Sequence, residues 1–435
     1  MSKVTTTPPL TDPRASGGEQ LTPTRGGLQD VFRPLSESFH AYVSRMRGGD
    51  MGALPAVLGL LVLSVTFTVA KPSSFPSALN LANLFQQGAV VATMAMGLVF
   101  VLLLGEIDLS AGVTSGVCGA VLAVLLTRAG TPWFIAVAAA IGTGVLIGLL
   151  IGLLVARIGI PSFVVTLGAF LALQGVVLLI IGNGGNISIN DPVIIAIQNK
   201  NVPPLLGWIL AFTAVAAYSF GTMWSWASRR RDGLESKPLV IAVIKPVAVT
   251  VFTLVLVFVL NLERSFNVGI TSLRGVPIVV PIIVVIALVL GFVLRRTAFG
   301  RHIYAVGGNA EAARRAGINV ARIRIACFVI CSGMASIAGI FAASRATSVD
   351  PNAGGSSLLL YAVGAAVIGG ISLFGGKGRV IEALIGGAVI AVIDNGMGLL
   401  GYSPGVKYLV TGAVLIIAAG VDALSRRRSV ASGGV

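Results

Sequence analysis

Long apolar runs with almost no charge recur from residue 54 to residue 422 and constrain this chain more than any other feature. A helix needs about 20 residues to cross a hydrocarbon layer roughly 30 Å thick. Inside lipid every backbone polar group must pair within the protein, which only helices and closed barrels achieve. The ten-residue alternation of barrel strands is absent from these runs. The sequence therefore predicts an all-α polytopic membrane protein.

Twelve apolar segments are present, so we expect about twelve transmembrane helices in one domain over residues 51–425. Their approximate bounds are 54–70, 87–104, 112–127, 133–156, 162–182, 205–227, 239–260, 276–294, 325–343, 358–374, 380–398 and 406–422. The second and third segments are also compatible with a broken or re-entrant element. Residues 1–50, rich in Pro, Ser, Thr and Gly, predict a disordered cytoplasmic tail, and residues 426–435 a cytoplasmic C-terminal tail.

The chain carries a net charge of +15, although only 11% of its residues are charged. In a soluble protein this excess would suggest nucleic acid. Here the basic residues lie between apolar runs, which indicates control of topology in a lipid bilayer and no nucleic-acid partner. With a cytoplasmic N-terminus, seventeen Lys and Arg residues of the loops fall on the cytoplasmic side and seven on the other. The positive-inside rule then predicts that both termini are cytoplasmic.

Residues 369–380, GGISLFGGKGRV, look at first like part of a phosphate-binding loop. Such a loop needs G-x-x-x-x-G-K followed by Ser or Thr. Gly370 and Gly375 have the required separation, but Gly376 stands where the Lys belongs and Lys377 comes one residue late. The run therefore predicts no nucleotide site. It predicts a glycine turn of Gly369, Gly370, Gly375 and Gly376, with hinging during transport as the alternative role.

Small residues are frequent inside the apolar segments, as in IGTGVLIGLLIG at residues 141–152. They let helix backbones approach closely where lipid provides no hydrophobic drive, so we expect tight bundle packing. Cys118, Cys327 and Cys331 all lie in apolar segments and are predicted to be small packing residues. Cys327 and Cys331 share a helix face, which leaves a regulatory thiol pair as the alternative.

Five polar residues in or beside apolar segments are candidates for gating or for lining a pathway. Acids at such positions are costly unless they face protein or water. Glu106, Asp108 and Ser110 separate the second and third segments, where they either serve function directly or cap the third helix. Asp394 and Asn395 lie in the eleventh segment and either line a pathway or pair with a neighbouring helix. The sequence shows no catalytic arrangement and no metal-ligand cluster.

The longest loop predicted on the cytoplasmic side, residues 295–324, contains the run EAARRAG. Glu311, Ala312, Ala313 and Arg314 predict a short helix, and Gly317 its end. A short rigid helix that projects from a bundle fits a groove on a partner and transmits motion. An ordinary basic loop that fixes topology is the alternative, although it does not explain the E-A-A-x-x-x-G spacing.

Several stretches of the chain occur in the order of a known family. They are GEIDLSAGVTSG, PSFVVTLGAFLALQGV, RTAFGRHIYAVGGNAEAARRAGINV, VIGGISLFGGKGRV and AVIDNGMGLLG. Together they resemble the permease subunit of bacterial monosaccharide ABC importers of the ribose and xylose type. The resemblance runs from about residue 80 to residue 423. The additional apolar pair at 205–260 resembles the longer, xylose-type permeases.

This resemblance implies a ten-helix permease core plus an extra hairpin, in the bacterial inner membrane, that imports a monosaccharide, a pentose such as xylose. It implies a homodimer, a pair of cytoplasmic ABC ATPase subunits and an extracytoplasmic sugar-binding protein. ATP and Mg would be bound by the ATPase, so this chain needs no cofactor and is not an enzyme. Glu311, Ala312, Ala313 and Gly317 match the core of the coupling loop, whereas the I-x-L-P sequence that ends this motif in many importers is missing.

A proton- or sodium-coupled secondary sugar transporter is the alternative function, because twelve spans also suit that architecture. Such transporters carry paired ionisable residues at mid-membrane depth. Asp394 is the one deep acid that we expect, and the sequence predicts no Lys, Arg or His partner for it in a neighbouring span.

Overall fold

The protein is described by a computed structural model over residues 52–182, 185–233, 239–265, 267–269 and 272–431. The predicted N-terminal tail, residues 1–50, lies outside the described residues. The helices in the first half are α1 (Leu54–Ala70), α2 (Ala78–Leu102), α3 (Ala111–Thr127), α4 (Trp133–Leu153, extended by a π-helical turn Leu154–Ile158), α5 (Ser162–Ile181), α6 (Pro192–Asn199), α7 (Pro204–Arg231) and α8 (Leu239–Asn261). Those in the second half are α9 (Val279–Arg296), α10 (Ala298–Gly308), α11 (Ala310–Arg315), α12 (Val320–Ala346), α13 (Ser356–Gly369), α14 (Val380–Leu399) and α15 (Pro404–Ala431).

Each of the twelve predicted segments overlaps one apolar helix of the described chain. Eight helices are long and apolar enough to cross a membrane: α2, α4 with its π-helical turn, α5, α7, α8, α9, α12 and α14. Four shorter apolar helices are α1, α3, α13 and the part of α15 up to Gly420. The prediction of a polytopic helical membrane protein is confirmed.

Two helix bounds differ most from the prediction. Helix α2 begins at Ala78, well before residue 87, because the Ser77 hydroxyl accepts a hydrogen bond from Asn80 N at 3.2 Å. Its first turns are polar, so an apolar window misses them. Helix α15 runs on to Ala431, so the predicted C-terminal tail from residue 426 starts as a continuation of the last helix.

Three central helices, α2, α12 and α14, form the core of the bundle. In the most apolar 18 residues of α2, 78% are buried inside the protein, and the same share is 67% in α12 and 72% in α14. Phe100 of α2 and Phe328 of α12 are fully buried in this core. Cys118, Cys327 and Cys331 are buried free thiols, as the packing interpretation predicts. The three helices provide the fixed body against which other elements are positioned.

Glycines make the closest helix contacts of the core. Gly144, Gly148 and Gly152 of α4 recur every four residues and face α12, and a Cβ on Gly148 would lie 2.5 Å from Phe328 O. A side chain at such a position would collide with a neighbouring backbone, so only glycine permits this helix separation. The predicted role of small residues in tight packing is confirmed at these positions.

Two short strand pairs mark one end of the bundle, which we call the strand end. Strand β1 (Ile187–Ser188) pairs antiparallel with β4 (Ser348–Val349), and β2 (Asn201–Val202) pairs antiparallel with β3 (Val276–Pro277). Loops 103–110, 297–319 and 370–379 meet at the opposite end, which we call the basic end. The chain alternates between the two ends as it passes through successive apolar helices.

The predicted extra hairpin is present as α7 and α8, which pack on each other. It joins the core through a small apolar cluster in which Ala82 of α2 meets Ala211, Val257 and Leu260 of the hairpin. Only 11% of the most apolar stretch of α7 is buried within the protein. Most of the hairpin surface is therefore left for lipid.

Candidate functional site

The short helix α11 projects from the basic end at the position predicted for the coupling loop. Asn309 caps its N-terminus, because Asn309 Oδ1 accepts a hydrogen bond from Ala312 N at 2.9 Å. Gly317 follows the helix with φ +85°, a conformation that favours glycine over any L-residue. The predicted helix in the EAARRAG run and its glycine stop are confirmed as structure.

One face of α11 is charged and open to solvent. Glu311 forms ion pairs with Arg314 Nη2 at 2.7 Å and with Arg315 Nε at 3.2 Å. The Arg314 side chain is 71% exposed and that of Glu311 51%, while Ala313 is buried and fixes the helix to the protein. Ala312 is also exposed. This face is thus available to a partner, with its charges held in a defined arrangement.

Helix α10, which precedes α11, was not predicted and lies within the run interpreted as loop. Thr297 Oγ1 accepts a hydrogen bond from Gly300 N at 3.1 Å and caps the helix. Ile303 and Val306 are buried, and Phe299 packs against the same core. Their i, i+4, i+7 spacing is the signal of an amphipathic helix that could have identified α10.

Helix α10 is held against two other loops at a contact that we call the glycine junction: Gly105, Gly307, Gly375 and Gly376 around Leu103. Gly376 N donates a hydrogen bond to Leu103 O at 2.8 Å. A Cβ on Gly307 would lie 1.8 Å from Leu103 O, and one on Gly375 would lie 2.9 Å from both Gly105 N and Gly307 O. The three segments therefore touch backbone to backbone.

A tyrosine reinforces this contact, since Tyr304 Oη of α10 donates a hydrogen bond to Gly378 O at 2.7 Å. Gly370, Gly375 and Gly376 have φ values of +103°, +85° and +74°, so the predicted glycine turn is present. Gly369 ends α13 against α14, where a Cβ would lie 2.1 Å from Glu382 O. Motion of α10 must move this turn or break the junction.

The loop between α2 and α3 carries the first group of predicted polar residues. Asp108 Oδ1 accepts hydrogen bonds from Ser110 N at 2.9 Å and from Ser110 Oγ at 2.6 Å, and both side chains are buried. Asp108 therefore organises the start of α3, whereas the Ser110 hydroxyl donates and makes no cap bond of its own. Glu106 Oε1 lies 3.2 Å from Arg324 Nε of α12, which ties the loop to a central helix.

Asp394 and Asn395 lie near the strand end of α14. Asn395 Nδ2 donates to Asn80 Oδ1 at 2.9 Å and to Gln87 Oε1 at 3.2 Å, and Asn80 Nδ2 donates back at 2.9 Å. Asn395 thus pairs with α2, one of its two predicted alternatives. The prediction that Asp394 lacks a basic partner was wrong, because Lys407 Nζ of α15 lies 3.1 Å from Asp394 Oδ1.

The reason for that error is the position of Lys407 at the edge of an apolar segment. An edge residue was counted with the loop, but α15 begins at Pro404 and includes Lys407 in its first turn. The side chain of Asp394 is 45% exposed and lies about one turn from the strand end of α14, so it is not buried inside the bundle. Arg345 and Tyr361 are both close enough to interact electrostatically with Asp394.

A cavity of about 710 Å³ opens beside these residues among α5, α13 and α15, and we call it the strand-end cavity. Its polar lining includes Gln174, Asn352, Ser356, Tyr361, Tyr408 and Thr411. Among the described residues that line it, none is charged. Sequence reasoning missed this group because its members come from three distant stretches, and each one alone is an ordinary polar residue of an apolar helix.

Two contacts shape the strand-end cavity. Gln174 Nε2 of α5 donates a hydrogen bond to Pro351 O at 3.1 Å, which fixes the loop after β4 to that helix. The rings of Tyr361 and Tyr408 have centroids 6.2 Å apart and form part of the wall. The cavity therefore combines aromatic faces with neutral donors and acceptors.

The sequence matches a family model described as the permease component of the branched-chain amino acid transport system, over residues 80–419. The xylose transport system permease protein XylH of Escherichia coli strain K12 is 35% identical over 391 residues, covering 89% of this chain and 95% of that protein. XylH of Haemophilus influenzae is 33% identical over 372 residues, covering 86% and 96%. The ribose import permease protein RbsC of E. coli K12 is 32% identical over 367 residues, covering 84% and 92%. No solved structure matches the chain.

Proposed function

Because this chain belongs to the permease-component family that it matches over residues 80–419, we propose how a permease of this kind moves a xylose-like sugar. It is the permease subunit of a monosaccharide ABC importer of the ribose and xylose type, in a bacterial membrane that it crosses several times. Xylose is the favoured substrate because the xylose permeases share more identity with it, over more of the chain, than the ribose permeases do.

We propose that the basic end faces the cytoplasm and that all twelve apolar helices cross the membrane. Most arginines of the described residues lie in the basic-end loops or in the helix turns next to that end, as the positive-inside rule requires of a cytoplasmic face, whereas only Arg128, Arg264, Arg274 and Arg345 lie at the strand end. Both described ends of the chain then lie on that side, with an even number of crossings between them. The strand end would face the compartment from which sugar arrives.

The observation that carries the mechanism is the unbroken contact from exposed α11 through α10 to the glycine junction. ATP and Mg belong to a separate ATPase subunit, and the charged face of α11 is the surface that the ATPase would engage. A displacement of α11 moves α10, because Asn309 joins the two without a linker. Gly307 and Tyr304 then transfer this displacement to the loops that follow α2 and α13.

Displacement of those loops biases the bundle between outward-open and inward-open arrangements. Packed cores are bistable rather than continuously deformable, so a small shift at the junction selects one arrangement over the other. A second copy of the chain and an extracytoplasmic sugar-binding protein complete the proposed assembly, as the resemblance implies. The glycines of the turn act in this account as contact points of the junction.

The test is a pair of variants at α11 in the complete transporter. Gly317→Val forces an L-residue into a left-handed conformation, which costs about 1–2 kcal/mol, so we expect roughly tenfold weaker ATPase binding. Glu311→Gln removes the two ion pairs and should also lower coupling. Gly308→Ala is the matched control, because Gly308 ends the neighbouring helix α10, has no positive φ, and a Cβ there meets nothing within 4 Å.

ATP-dependent xylose uptake and co-purification of the ATPase are measured for each variant. The proposal predicts reduced uptake with normal amounts of permease in the membrane for Gly317→Val and Glu311→Gln, and wild-type behaviour for Gly308→Ala. Unchanged uptake and co-purification in both α11 variants would exclude α11 as the docking element.

The pair of Asp394 and Lys407 favours the second candidate, an ion-coupled secondary transporter, more than the sequence alone does. However, the pair lies near the strand end of α14, and Asp394 is half-exposed. A coupling site needs ionisable groups at mid-membrane depth. Loss of a sodium or proton dependence of uptake in Asp394→Asn would support this candidate; ATP-driven uptake that needs no ion gradient would exclude it.

A further inference from the structure

The strand-end cavity is large enough and open enough to hold a small molecule, and nothing in the mechanism above uses it. Its volume of about 710 Å³ falls within the range of about 300–1,000 Å³ that is usual for small-molecule sites. It lies in the half of the bundle opposite α11. We infer that it is a transit site that binds a neutral monosaccharide, an inference that rests on the proposed function.

The chemistry of the lining selects a polyhydroxylated ring. Hydroxyl and amide groups of Asn352, Ser356 and Thr411 donate and accept hydrogen bonds, as the hydroxyls of a sugar do. The rings of Tyr361 and Tyr408 present apolar faces next to polar hydroxyls, which suits the C–H face and the O–H edge of a pyranose. A purely apolar solute would leave these polar groups unpaired.

The same lining argues against a charged solute, including the amino acids named in the description of the family model. The ammonium group of a zwitterion needs an anionic partner, because a desolvated charge is costly when unpaired. No charged side chain is among the described residues that line the cavity. Of the charges nearby, Lys407 and Asp394 are paired with each other, since Lys407 Nζ lies 3.1 Å from Asp394 Oδ1.

A cysteine placed on the wall tests the site directly. Gly412 of α15 lines the cavity, and a Cβ there meets nothing within 4 Å, so Gly412→Cys should fold. The three native cysteines are buried, so a small thiol reagent should modify only the new one. Ser73→Cys, at an exposed position of the loop between α1 and α2, is the control.

The rate of thiol modification is measured on the purified full-length chain with increasing xylose, ribose or leucine. The inference predicts that a neutral sugar slows modification of Gly412→Cys at least threefold at saturation, while leucine does not, and that no solute slows Ser73→Cys. Protection by leucine alone, or no protection by either sugar, would overturn it. This readout needs no ATPase, so it fails or succeeds separately from the proposed function.

Removal of single hydroxyls identifies the sugar contacts. In the Gly412→Cys background, Tyr361→Phe, Tyr408→Phe and Thr411→Val each keep the shape of the wall and lose one hydrogen-bonding group. We expect a three- to tenfold higher sugar concentration for half-maximal protection, the usual effect of one hydrogen bond. Tyr402→Phe, which is outside the cavity, is the matched control; equal protection in all four variants would contradict the assignment.

Uptake by the complete complex separates the two claims. If unmodified wild-type complex accumulates xylose with ATP but modified Gly412→Cys does so at the same rate, the transit site is wrong and the proposed function stands. If sugar protects Gly412→Cys but the complex transports no monosaccharide, the cavity stands as a sugar-binding site, and its transit role fails together with the proposed function.

Discussion

The central helices α2, α12 and α14 and the hairpin α7–α8 are both strongly apolar, but their apolar side chains face different surroundings. The hairpin helices expose large side chains to lipid, such as Phe252, which is 68% exposed, whereas Phe100 of α2 is 0% exposed. Apolar composition therefore indicates that a segment lies in the membrane and does not indicate what it faces. Close glycine contacts and paired amides mark the helices that face protein.

The same contrast separates the parts of the chain that we propose to transmit motion from the hairpin, to which we assign no such role. The glycine junction and the paired Asn80 and Asn395 connect central helices to each other and to the loops of the basic end. The hairpin touches the core mainly through one small apolar cluster. We therefore expect substitutions in the two regions to have very different effects, although the residue types are alike.

The largest difference is expected for added side chains at glycine. In Gly386→Leu the new Cβ would lie 1.7 Å from Ala365 O of α13, so α13 and α14 must separate, at a cost of about 4 kcal/mol or more. Gly221→Leu in α7 meets nothing within 4 Å and should fold normally. Size-exclusion profiles in detergent show whether each variant is folded. Equal monodispersity of the two variants would contradict the expected difference.

The second largest difference in stability is expected between truncation of a buried phenylalanine and truncation of a lipid-facing one. Phe100→Ala leaves a cavity among central helices and should lower the free energy of unfolding by about 3–5 kcal/mol. Phe252→Ala removes a ring that faces outward, and we expect a change within about 0.5 kcal/mol. Unfolding in mixed detergent micelles compares them, and similar losses would show that α8 has a protein partner on this face.

A smaller effect is expected for the amide pair. Asn395→Leu removes hydrogen bonds to Asn80 and Gln87, which we expect to lower the free energy of unfolding by about 1–2 kcal/mol. Thr222→Val in α7 removes only a bond to Tyr218 O within its own helix and serves as the control. The double variant Asn80→Leu with Asn395→Leu should recover part of the loss; strict additivity would contradict the pairing.

The smallest effect is expected at the strand-end loop of the hairpin. Hydrogen bonds from the backbone of Leu273 and Ser265, and from the Ser272 hydroxyl, lower the pKa of Glu263 to about 2. Since the folded pKa lies below the ordinary value, the contribution of this carboxylate is full above about pH 4.5 and is lost as the pH falls through about 2.

Hydrogen exchange of the Leu273 and Ser265 amides, which both donate to Glu263 Oε1, measures this contribution. Exchange in the wild-type loop, corrected for its intrinsic pH dependence, should show equal protection at pH 5 and pH 8. Glu263→Gln should lose protection equally at both values, without loss of the folded hairpin. A protection that falls between pH 8 and pH 5 would show that the carboxylate titrates in that range.

Much of the architecture could be predicted from the sequence, because the hydropathy of a segment depends only on the residues in that segment. The twelve apolar segments, the extra hairpin and the short helix before Gly317 are all present in the structure. Helix α10 was missed because its apolar residues are spaced over one face of a basic stretch. The start of α2 was missed because Asn80 and Gln87 are polar and yet face protein.

Contacts between distant segments could not be predicted in the same way. Lys407 reaches Asp394 only because α14 and α15 pack side by side, and Gly307 meets Leu103 only because α10 folds back on the core. The strand-end cavity joins residues 174, 352–361 and 408–415. The spacing of residues along the chain does not indicate these contacts, because they depend on how whole helices pack.

The most direct test of the account measures xylose accumulation in proteoliposomes that contain this chain, its ATPase and its sugar-binding protein. Vesicles supplied with ATP and Mg on the ATPase side are compared with vesicles that have only a proton or sodium gradient. We predict accumulation against a concentration gradient with ATP and none with ion gradients alone. Accumulation driven by an ion gradient in the absence of nucleotide would contradict the account.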